Sequence, residues 1–144
     1  MDFEIFKMNI HDLDLISDNL QSDFDDFWTY NILKDELLSE NSIYFCVKNN
    51  DEIVGFAGIK IILDEADIMN IVIKKSFRNL GIGSMLLKFL VNKSKELNIH
   101  HINLEVNSSN LIAIHLYEKF GFKNVGIRSK YYNNDSAILM RLDF

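Results

Sequence analysis

The sequence predicts an α/β fold with a mixed, mostly antiparallel sheet of about seven strands and helices on both faces. Apolar runs of strand length and segments of helical periodicity follow one another in the order β-α-α-β-β-β-α-β-α-β-β. The chain contains no proline, and asparagine and glycine stand between the runs, where turns need them. One strand–helix–strand unit, residues 66–107, predicts a right-handed parallel crossover. The remaining neighbouring strands are expected to pair antiparallel.

The first half of the chain is expected to hold one strand, two helices and a hairpin. Apolar residues alternate, then recur twice at helical spacing, then form two runs about the turn Asn49-Asn50-Asp51. The predicted elements are a strand over 3–8, helices over 12–20 and 28–38, and hairpin strands over 43–48 and 53–63. An acidic, aromatic segment between the helices contains Asp23, Asp25 and Asp26. We expect it to be either a solvated loop or a surface that attracts a basic substrate.

The second half is expected to alternate strands with helices and to close with a hairpin. The predicted elements are a strand over 66–73, an amphipathic helix from Gly83 to about Leu97, a strand over 101–107, a helix over 111–120, and strands over 123–132 and 137–144. Gly121 follows the short helix as a typical C-terminal glycine. The turn Asn133-Asn134-Asp135 separates the last two strands.

Length and composition predict one globular domain over residues 1–144. The chain is long enough for a substantial core, and its 48% hydrophobic and 25% charged residues exclude a disordered chain. It has no apolar run of bilayer length and no signal-peptide pattern at its start. We therefore expect a soluble, cytoplasmic protein with no membrane partner.

Charge and cysteine content narrow the classes of partner and site. The net charge of −6 and the lack of a basic stripe argue against a nucleic-acid partner, and an acidic protein suits a basic acceptor. The single cysteine, Cys46, excludes an internal disulfide and a cysteine-based zinc cluster. Its apolar neighbours predict a buried structural thiol. The histidines lack metal-ligand spacing, so we expect no metal.

The turn between the fourth strand and its helix, Arg78-Asn79-Leu80-Gly81-Ile82-Gly83-Ser84, predicts an anion site. Two glycines let the backbone approach a ligand, and the N–H groups of the first helical turn point at it. The turn is not a Walker loop, because no Lys-Ser or Lys-Thr follows the second glycine. Leu86 at the third glycine position excludes a dinucleotide fingerprint. On this motif alone, an ordinary strand-to-helix turn remains the alternative.

Two side chains downstream suit acid–base chemistry. Glu105 lies on the polar face of the predicted strand 101–107, where a carboxylate is costly unless it is paired, solvated or used. It is therefore either a general base in a cleft or a solvated side chain. Tyr117 shares a helix face with Phe120. It either packs in the core or donates its hydroxyl proton to a leaving group.

Together these segments resemble the GNAT superfamily of N-acetyltransferases, and within it the bacterial ribosomal-protein-alanine N-acetyltransferases. The resemblance begins near Ile53 and runs to the C-terminus. It is carried by Asn70-Ile71-Val72-Ile73, the turn 78–84, Leu104-Glu105-Val106, Ser109-Asn110, Ala113, Leu116-Tyr117-Glu118-Lys119-Phe120-Gly121-Phe122 and Tyr131-Tyr132. The N-terminal strand and two helices also fit in order. The resemblance implies the GNAT fold.

The resemblance also implies acetyl-coenzyme A as cosubstrate and assigns roles to the matching residues. Asn110 and Tyr117 match coenzyme-contacting positions, Glu105 matches the general base, and Tyr117 also matches the general acid. Backbone groups of the fourth strand match those that bind the pantetheine arm as if adding a strand. The pantetheine positions are Ile71, Val72 and Ile73, and the pyrophosphate positions are Arg78, Asn79, Leu80, Gly81, Ile82, Gly83 and Ser84.

The expected activity is transfer of an acetyl group to a primary amine. The resemblance implies the N-terminal alanine of the eighteenth protein of the small ribosomal subunit as acceptor. We expect the protein to be a monomer or a weak dimer. Another protein N-terminus, a lysine or a small amine is the first alternative. A non-catalytic coenzyme-A-binding module is the second. A nucleotide-binding regulator, which would bind ATP more tightly than coenzyme A, is the third.

Overall fold

A computed structural model describes residues 1–25, 27–132 and 135–144, with residues 130–132 described by their backbone alone. Asp26 of the acidic segment and Asn133-Asn134 of the last predicted turn lie outside the described residues, as do the side chains of Tyr131 and Tyr132. Within the described ranges, the chain has the predicted mixed α/β fold, with eight strands and four α-helices. None of these helices is both long and apolar enough to cross a membrane.

The element order confirms the predicted order, with one strand added. The elements are β1 (Phe3–Lys7), α1 (Ile10–Ile16), α2 (Tyr30–Leu38), β2 (Ser42–Asn49), β3 (Glu52–Ile62), β4 (Glu65–Ile68), β5 (Val72–Ile73), α3 (Ile82–Glu96), β6 (His101–Asn107), α4 (Leu111–Lys119), β7 (Lys123–Tyr132) and β8 (Asp135–Asp143). A 3-10 turn and a π-helical turn, Ser17–Asn19 and Leu20–Phe24, follow α1. The chain divides into two compact units, the first comprising Met1–Lys60 and Met69–Leu90, the second Ile61–Ile68 and Val91–Phe144.

In the first unit, the strands form an antiparallel sheet on which a hydrophobic core is built. β2 pairs with β1 and with β3, and β5 pairs with β3. The predicted hairpin turn between β2 and β3 is confirmed, and Asn50 takes the left-handed conformation there with φ 57°. The core residues are Met8, Leu13, Leu20, Phe24, Trp28, Leu33, Tyr44, Cys46, Ile53, Phe56 and Val72.

Capping side chains decide where the first two helices begin. The Asn9 carboxamide accepts the Asp12 N–H at 3.0 Å, and the Asp12 carboxylate accepts the Asn9 N–H at 2.9 Å. This capping box starts α1 before the predicted boundary. The buried Asp12 carboxylate also meets Lys48 Nζ at 3.1 Å. α2 begins two residues later than predicted because the Thr29 hydroxyl caps it, which leaves Trp28 in the core.

The predicted fourth strand, 66–73, is corrected to two strands separated by a β-bulge. The Met69 N–H donates to the Gly58 carbonyl at 2.8 Å, whereas Val72 pairs with Phe56. From Met69 to Val72 the chain advances three residues, whereas β3 advances two residues from Gly58 to Phe56. One extra residue is therefore inserted at Asn70–Ile71. A bulge depends on the register between two strands, and the apolar run itself carries no sign of it.

In the second unit, the strand order is β4-β6-β8-β7. β4 and β6 pair in parallel, as the crossover predicts, while β8 pairs antiparallel with both β6 and β7. The predicted closing hairpin is thereby confirmed. Gly121 follows α4 with φ 97°, the left-handed conformation that ends a helix.

Candidate active site

The bulge at Asn70–Ile71 exposes backbone donors in the first unit. Its neighbours, Met69 and Val72, make the hydrogen bonds to β3. Within the described part of the chain, neither the Asn70 nor the Ile71 N–H donates to a protein acceptor. Backbone donors without a protein partner suit an extended ligand that pairs as an added strand, or a carbonyl oxygen that gains negative charge.

The predicted anion-binding turn adopts a conformation that only a few residue types tolerate. Asn79 and Gly81 have φ values of 65° and 83°, in the left-handed region. The backbone then enters α3, whose first hydrogen bond joins the Met85 N–H to the Gly81 carbonyl at 3.1 Å. The N–H groups of the three preceding residues, 82–84, have no intrahelical acceptor and point out of the helix end. An anion placed there meets these donors and the positive end of the helix dipole.

The two glycines of this turn face open space. Among the described residues, a Cβ atom built on Gly81 or on Gly83 would have no atom within 4 Å apart from the adjoining residues and, for Gly83, the backbone of its own helix. Gly83 lies inside the first turn of α3, where glycine costs about 1 kcal/mol relative to alanine. No packing contact explains this glycine. The open space beside exposed N–H groups fits the close approach of a phosphate group.

Arg78 has a structural contact that the sequence did not reveal. Its Nε donates to the Ile73 carbonyl at 3.1 Å, and its Nη2 donates to the Phe24 carbonyl at 2.9 Å. The guanidinium therefore connects the start of the turn to β5 and to the π-helical turn. The contact joins residues 54 positions apart, so no local pattern could have predicted it. The side chain is held in place beside the turn whether or not it also binds a phosphate.

In the second unit, β6 carries an open backbone edge. Its pairing with β4 covers residues 101–103 and ends there, whereas its pairing with β8 continues to Asn107. Among the described residues, the part of β6 that contains Glu105 therefore has a ladder partner on one side, namely β8. This edge offers unpaired backbone groups beside the predicted general base.

Glu105 projects from the polar face of β6. Ile102, Leu104 and Val106 are buried, and Glu105 lies on the opposite face with 34% of its side chain exposed. Its Oε1 meets Nη1 of Arg128, on β7, at 3.2 Å. The alternation confirms the predicted strand faces, and the carboxylate is both paired and open to solvent. Sequence reasoning missed Arg128, because the partner lies two strands away in the sheet order.

Tyr117 combines a packed ring with partial access to solvent. Its ring makes an edge-to-face contact with Phe122, with centroids 5.8 Å apart. Burial raises the pKa of the Tyr117 hydroxyl above its ordinary value. The hydroxyl therefore keeps its proton at neutral pH and is available as a donor.

Asn110 is the N-cap of α4. Its side-chain oxygen accepts the Ala113 N–H at 3.2 Å. The residue is exposed and lies shortly after the end of β6. Asn110 therefore stabilises the helix that carries Tyr117.

The remaining titratable groups of interest are paired or buried. His100 meets Asp64 at 3.0 Å, and His101 contacts Glu65. Among the residues described, no group of three or more histidine, cysteine, aspartate or glutamate side chains is arranged to hold a metal ion. Burial raises the pKa of the Cys46 thiol to about 11, and Cys46 is fully buried, as predicted for a structural thiol.

The predicted site residues divide between the two units. The first unit holds the predicted donor-binding segments, residues 71–73 and 78–84, which form a bulged strand and the entry to α3. The second unit holds Glu105, Asn110 and Tyr117, on β6, the following turn and α4. The group in the first unit offers backbone donors for an anionic ligand, and the group in the second unit offers a carboxylate and a phenol for proton transfer.

Comparison with known protein families gives a match over most of the chain. Residues 8–122 match the sequence model of the acetyltransferase (GNAT) family. A relative from Haemophilus influenzae, named [ribosomal protein bS18]-alanine N-acetyltransferase, is 38% identical over 110 residues, which cover 76% of this chain and 74% of the relative. A relative from Bacillus subtilis, whose name assigns the same activity provisionally, is 35% identical over 93% of this chain and 91% of its own length.

Solved structures give the same result for the fold. The crystal structure of the ribosomal-protein-S18-alanine N-acetyltransferase from Escherichia coli superposes with a TM-score of 0.90 and 28% sequence identity. The alignment covers 99% of this chain and 94% of that chain.

Proposed function

The chain belongs to the acetyltransferase (GNAT) family, and on that premise we propose that it acetylates the N-terminal alanine of ribosomal protein bS18, with acetyl-CoA as donor. The observation that carries the donor part of the proposal is the first turn of α3, whereas the names of the relatives support the acceptor. There, backbone N–H groups and two glycines face open space, as a pyrophosphate requires. Since the family match covers parts of both compact units, we propose that residues 1–144 act as one acetyltransferase domain.

The proposed donor site uses backbone groups more than side chains. Residues 71–73 bind the pantetheine arm at the bulge, where the Ile71 N–H has no protein acceptor among the described residues. Residues 78–84 bind the pyrophosphate, with Arg78 holding the turn through its two carbonyl contacts. In the second unit, Asn110 and Tyr117 are the proposed coenzyme contacts.

The proposed chemistry is direct transfer to an amine. Acetyl-CoA, when bound, supplies the acetyl group as a thioester. Glu105 accepts the proton that the attacking amine loses, directly or through a water molecule. The Tyr117 hydroxyl gives its proton to the departing sulfur, and the raised pKa keeps that proton in place until then. The Ile71 N–H stabilises the negative charge that develops on the carbonyl oxygen.

An α-amine demands little of this general base. The pKa of an α-amine is about 8, so roughly a quarter of such amines are neutral near pH 7.5, whereas about one lysine side chain in a thousand is neutral at that pH. A partly exposed carboxylate such as Glu105 is sufficient to accept the proton from an α-amine. This difference favours a protein N-terminus over a lysine side chain as acceptor.

The names of the relatives and the charge of the chain support a ribosomal acceptor. Several relatives are named for alanine acetylation of bS18, including the one from Escherichia coli at 34% identity. The net charge of −6 favours encounter with a basic protein. We accordingly assign the activity to the cytoplasm, where ribosomal proteins are made.

Acetylation of a peptide panel, followed by mass spectrometry, tests the proposal. The panel contains the bS18 N-terminal peptide, the same peptide with its α-amine blocked, peptides with other first residues, and spermidine as a free amine. We expect acetylation of the first peptide at its α-amine and none of the blocked one. Acetylation of spermidine alone would replace the ribosomal acceptor with a small amine. Coenzyme A binding without turnover on any acceptor would favour a non-catalytic module.

A further inference from the structure

We propose that Arg128 is a positioning residue that holds the Glu105 carboxylate in its proton-accepting orientation. This inference rests on the proposed function, in which Glu105 is the general base. It adds a residue that the chemistry depends on without direct contact with either substrate.

The sheet register brings the two side chains to one face. Glu105 pairs with Leu139 of β8, and Arg128 of β7 pairs with Ala137, two residues away from Leu139. Residues paired across antiparallel strands point to the same face, and so do residues two apart on one strand. Arg128 therefore reaches over β8 and places Nη1 at 3.2 Å from Oε1 of Glu105.

The contact with Arg128 is made at Oε1 of the carboxylate. Nη1 of Arg128 lies 3.2 Å from Oε1, and the Glu105 side chain remains 34% exposed to solvent. A general base needs one oxygen that is fixed in space and unoccupied until the amine arrives. A carboxylate that is held at Oε1 and still open to solvent suits this task.

Stability does not explain the pair. The side chains of Arg128 and Glu105 are 53% and 34% exposed, and ion pairs with such exposure contribute little to folding. A glutamate has three side-chain torsions and samples several rotamers when nothing holds it. Fixing one rotamer of Glu105 raises the fraction of amine-bound complexes in which the carboxylate is oriented to accept the proton.

Substitutions at Arg128 test the inference against a matched control. Arg128→Met keeps the length of the side chain and removes the contact, whereas Arg128→Lys retains a cation that can meet one oxygen. Arg141 is the control, because it pairs with Asn103 on the same face, and its Nε bonds the Asn103 carboxamide at 3.3 Å instead of Glu105. Arg141→Met therefore removes an equal charge from the same face.

We expect Arg128→Met to lower kcat for the bS18 peptide by about ten- to a hundredfold, with the KM for acetyl-CoA within twofold of the parent. Arg128→Lys should recover most of kcat, and Arg141→Met should stay within about twofold of the parent. Thermal melting checks that each variant is folded. A parent-like kcat in Arg128→Met, or an equal loss in Arg141→Met, would overturn the inference.

A double-mutant cycle separates this inference from the proposed function. If Arg128 acts through Glu105, Arg128→Met should cause no further loss in a Glu105→Gln background. Independent, multiplying losses would show that Arg128 acts elsewhere. A Glu105→Gln variant as fast as the parent would remove the general base, and the inference with it. A slow Glu105→Gln beside a fast Arg128→Met would overturn the inference alone.

Discussion

Tyr117 joins a core-packing role to a chemical one at the scale of a single residue. Its ring packs against Phe122 while its hydroxyl remains without a hydrogen bond among the described contacts. The two interpretations that the sequence left open, core residue and proton donor, are therefore compatible. Removal of the hydroxyl alone separates them.

We predict that Tyr117→Phe lowers kcat by about a hundredfold or more while the melting temperature stays close to the parent's. The hydroxyl must be protonated to donate, and burial raises its pKa above the ordinary value of about 10. The alkaline decline of kcat in the parent should therefore lie above about pH 10 and disappear in the variant. Steady-state rates across the alkaline range measure both effects. A variant with the parent's rate would remove Tyr117 from the chemistry.

Asn110 has a capping role that the structure shows and a coenzyme role that stays a prediction. Asn110→Ala should lower the free energy of unfolding by about 1 kcal/mol, because α4 loses its N-cap. Asn110→Ser keeps a capping oxygen and should keep most of that stability. If the carboxamide also contacts the coenzyme, Asn110→Ser raises the KM for acetyl-CoA. Urea denaturation and initial rates measure the two roles, and a parent-like KM in the serine variant would leave capping as the whole role.

At the scale of an element, the entry to α3 shows how a helix end is adapted to a ligand. Gly81 is needed for its left-handed backbone, since φ is 83°. Gly83 does not have a positive φ, and a Cβ there would meet no described atom within 4 Å beyond its chain neighbours and its own helix backbone. Substitution by alanine at the two glycines is therefore expected to change stability in opposite directions.

We predict that Gly83→Ala keeps or raises stability, by up to about 1 kcal/mol, and weakens coenzyme A binding about tenfold or more. Gly81→Ala should instead lose about 1 kcal/mol, because an alanine is strained at positive φ. Gly81→Asn is the control, since asparagine tolerates this conformation. Calorimetric titration with coenzyme A and urea denaturation give the two quantities. Parent-like binding by Gly83→Ala would show that the first turn of α3 does not contact the ligand.

At the scale of the whole molecule, the net charge of −6 sets the long-range interaction with a basic acceptor. Such an interaction acts mainly on the encounter rate and is screened by salt. The same negative charge does not attract the anionic coenzyme. Salt should therefore affect the two substrates differently.

We predict that kcat/KM for a basic bS18 peptide falls severalfold as NaCl rises from about 20 to about 300 mM, which shortens the Debye length from about 20 to about 6 Å. A peptide with the same first residue and no net charge serves as the control and should change little. The KM for acetyl-CoA should not rise in parallel. Equal salt dependence of the two peptides would show that the charge of the chain does not select the acceptor.

Most elements of the fold could be predicted because their signals are local. The alternation of 101–107, the helical spacing of 111–120 and the turn at Asn50 each depend on residues within a few positions, and the structure confirms them. The division of 66–73 at the bulge could not be predicted. It depends on which residues of β3 take the hydrogen bonds, namely Gly58 and Phe56.

The sequence by itself determined the order of elements, the family to which the chain belongs and the residue types available for transfer chemistry. Only the tertiary structure decided how those residues are held: Arg78 by the carbonyls of Ile73 and Phe24, and Glu105 by Arg128. The physical reason is the range of each interaction. Helix and strand patterns arise between near neighbours in the chain, whereas these contacts join residues up to 54 positions apart and exist only once the strands have found their register.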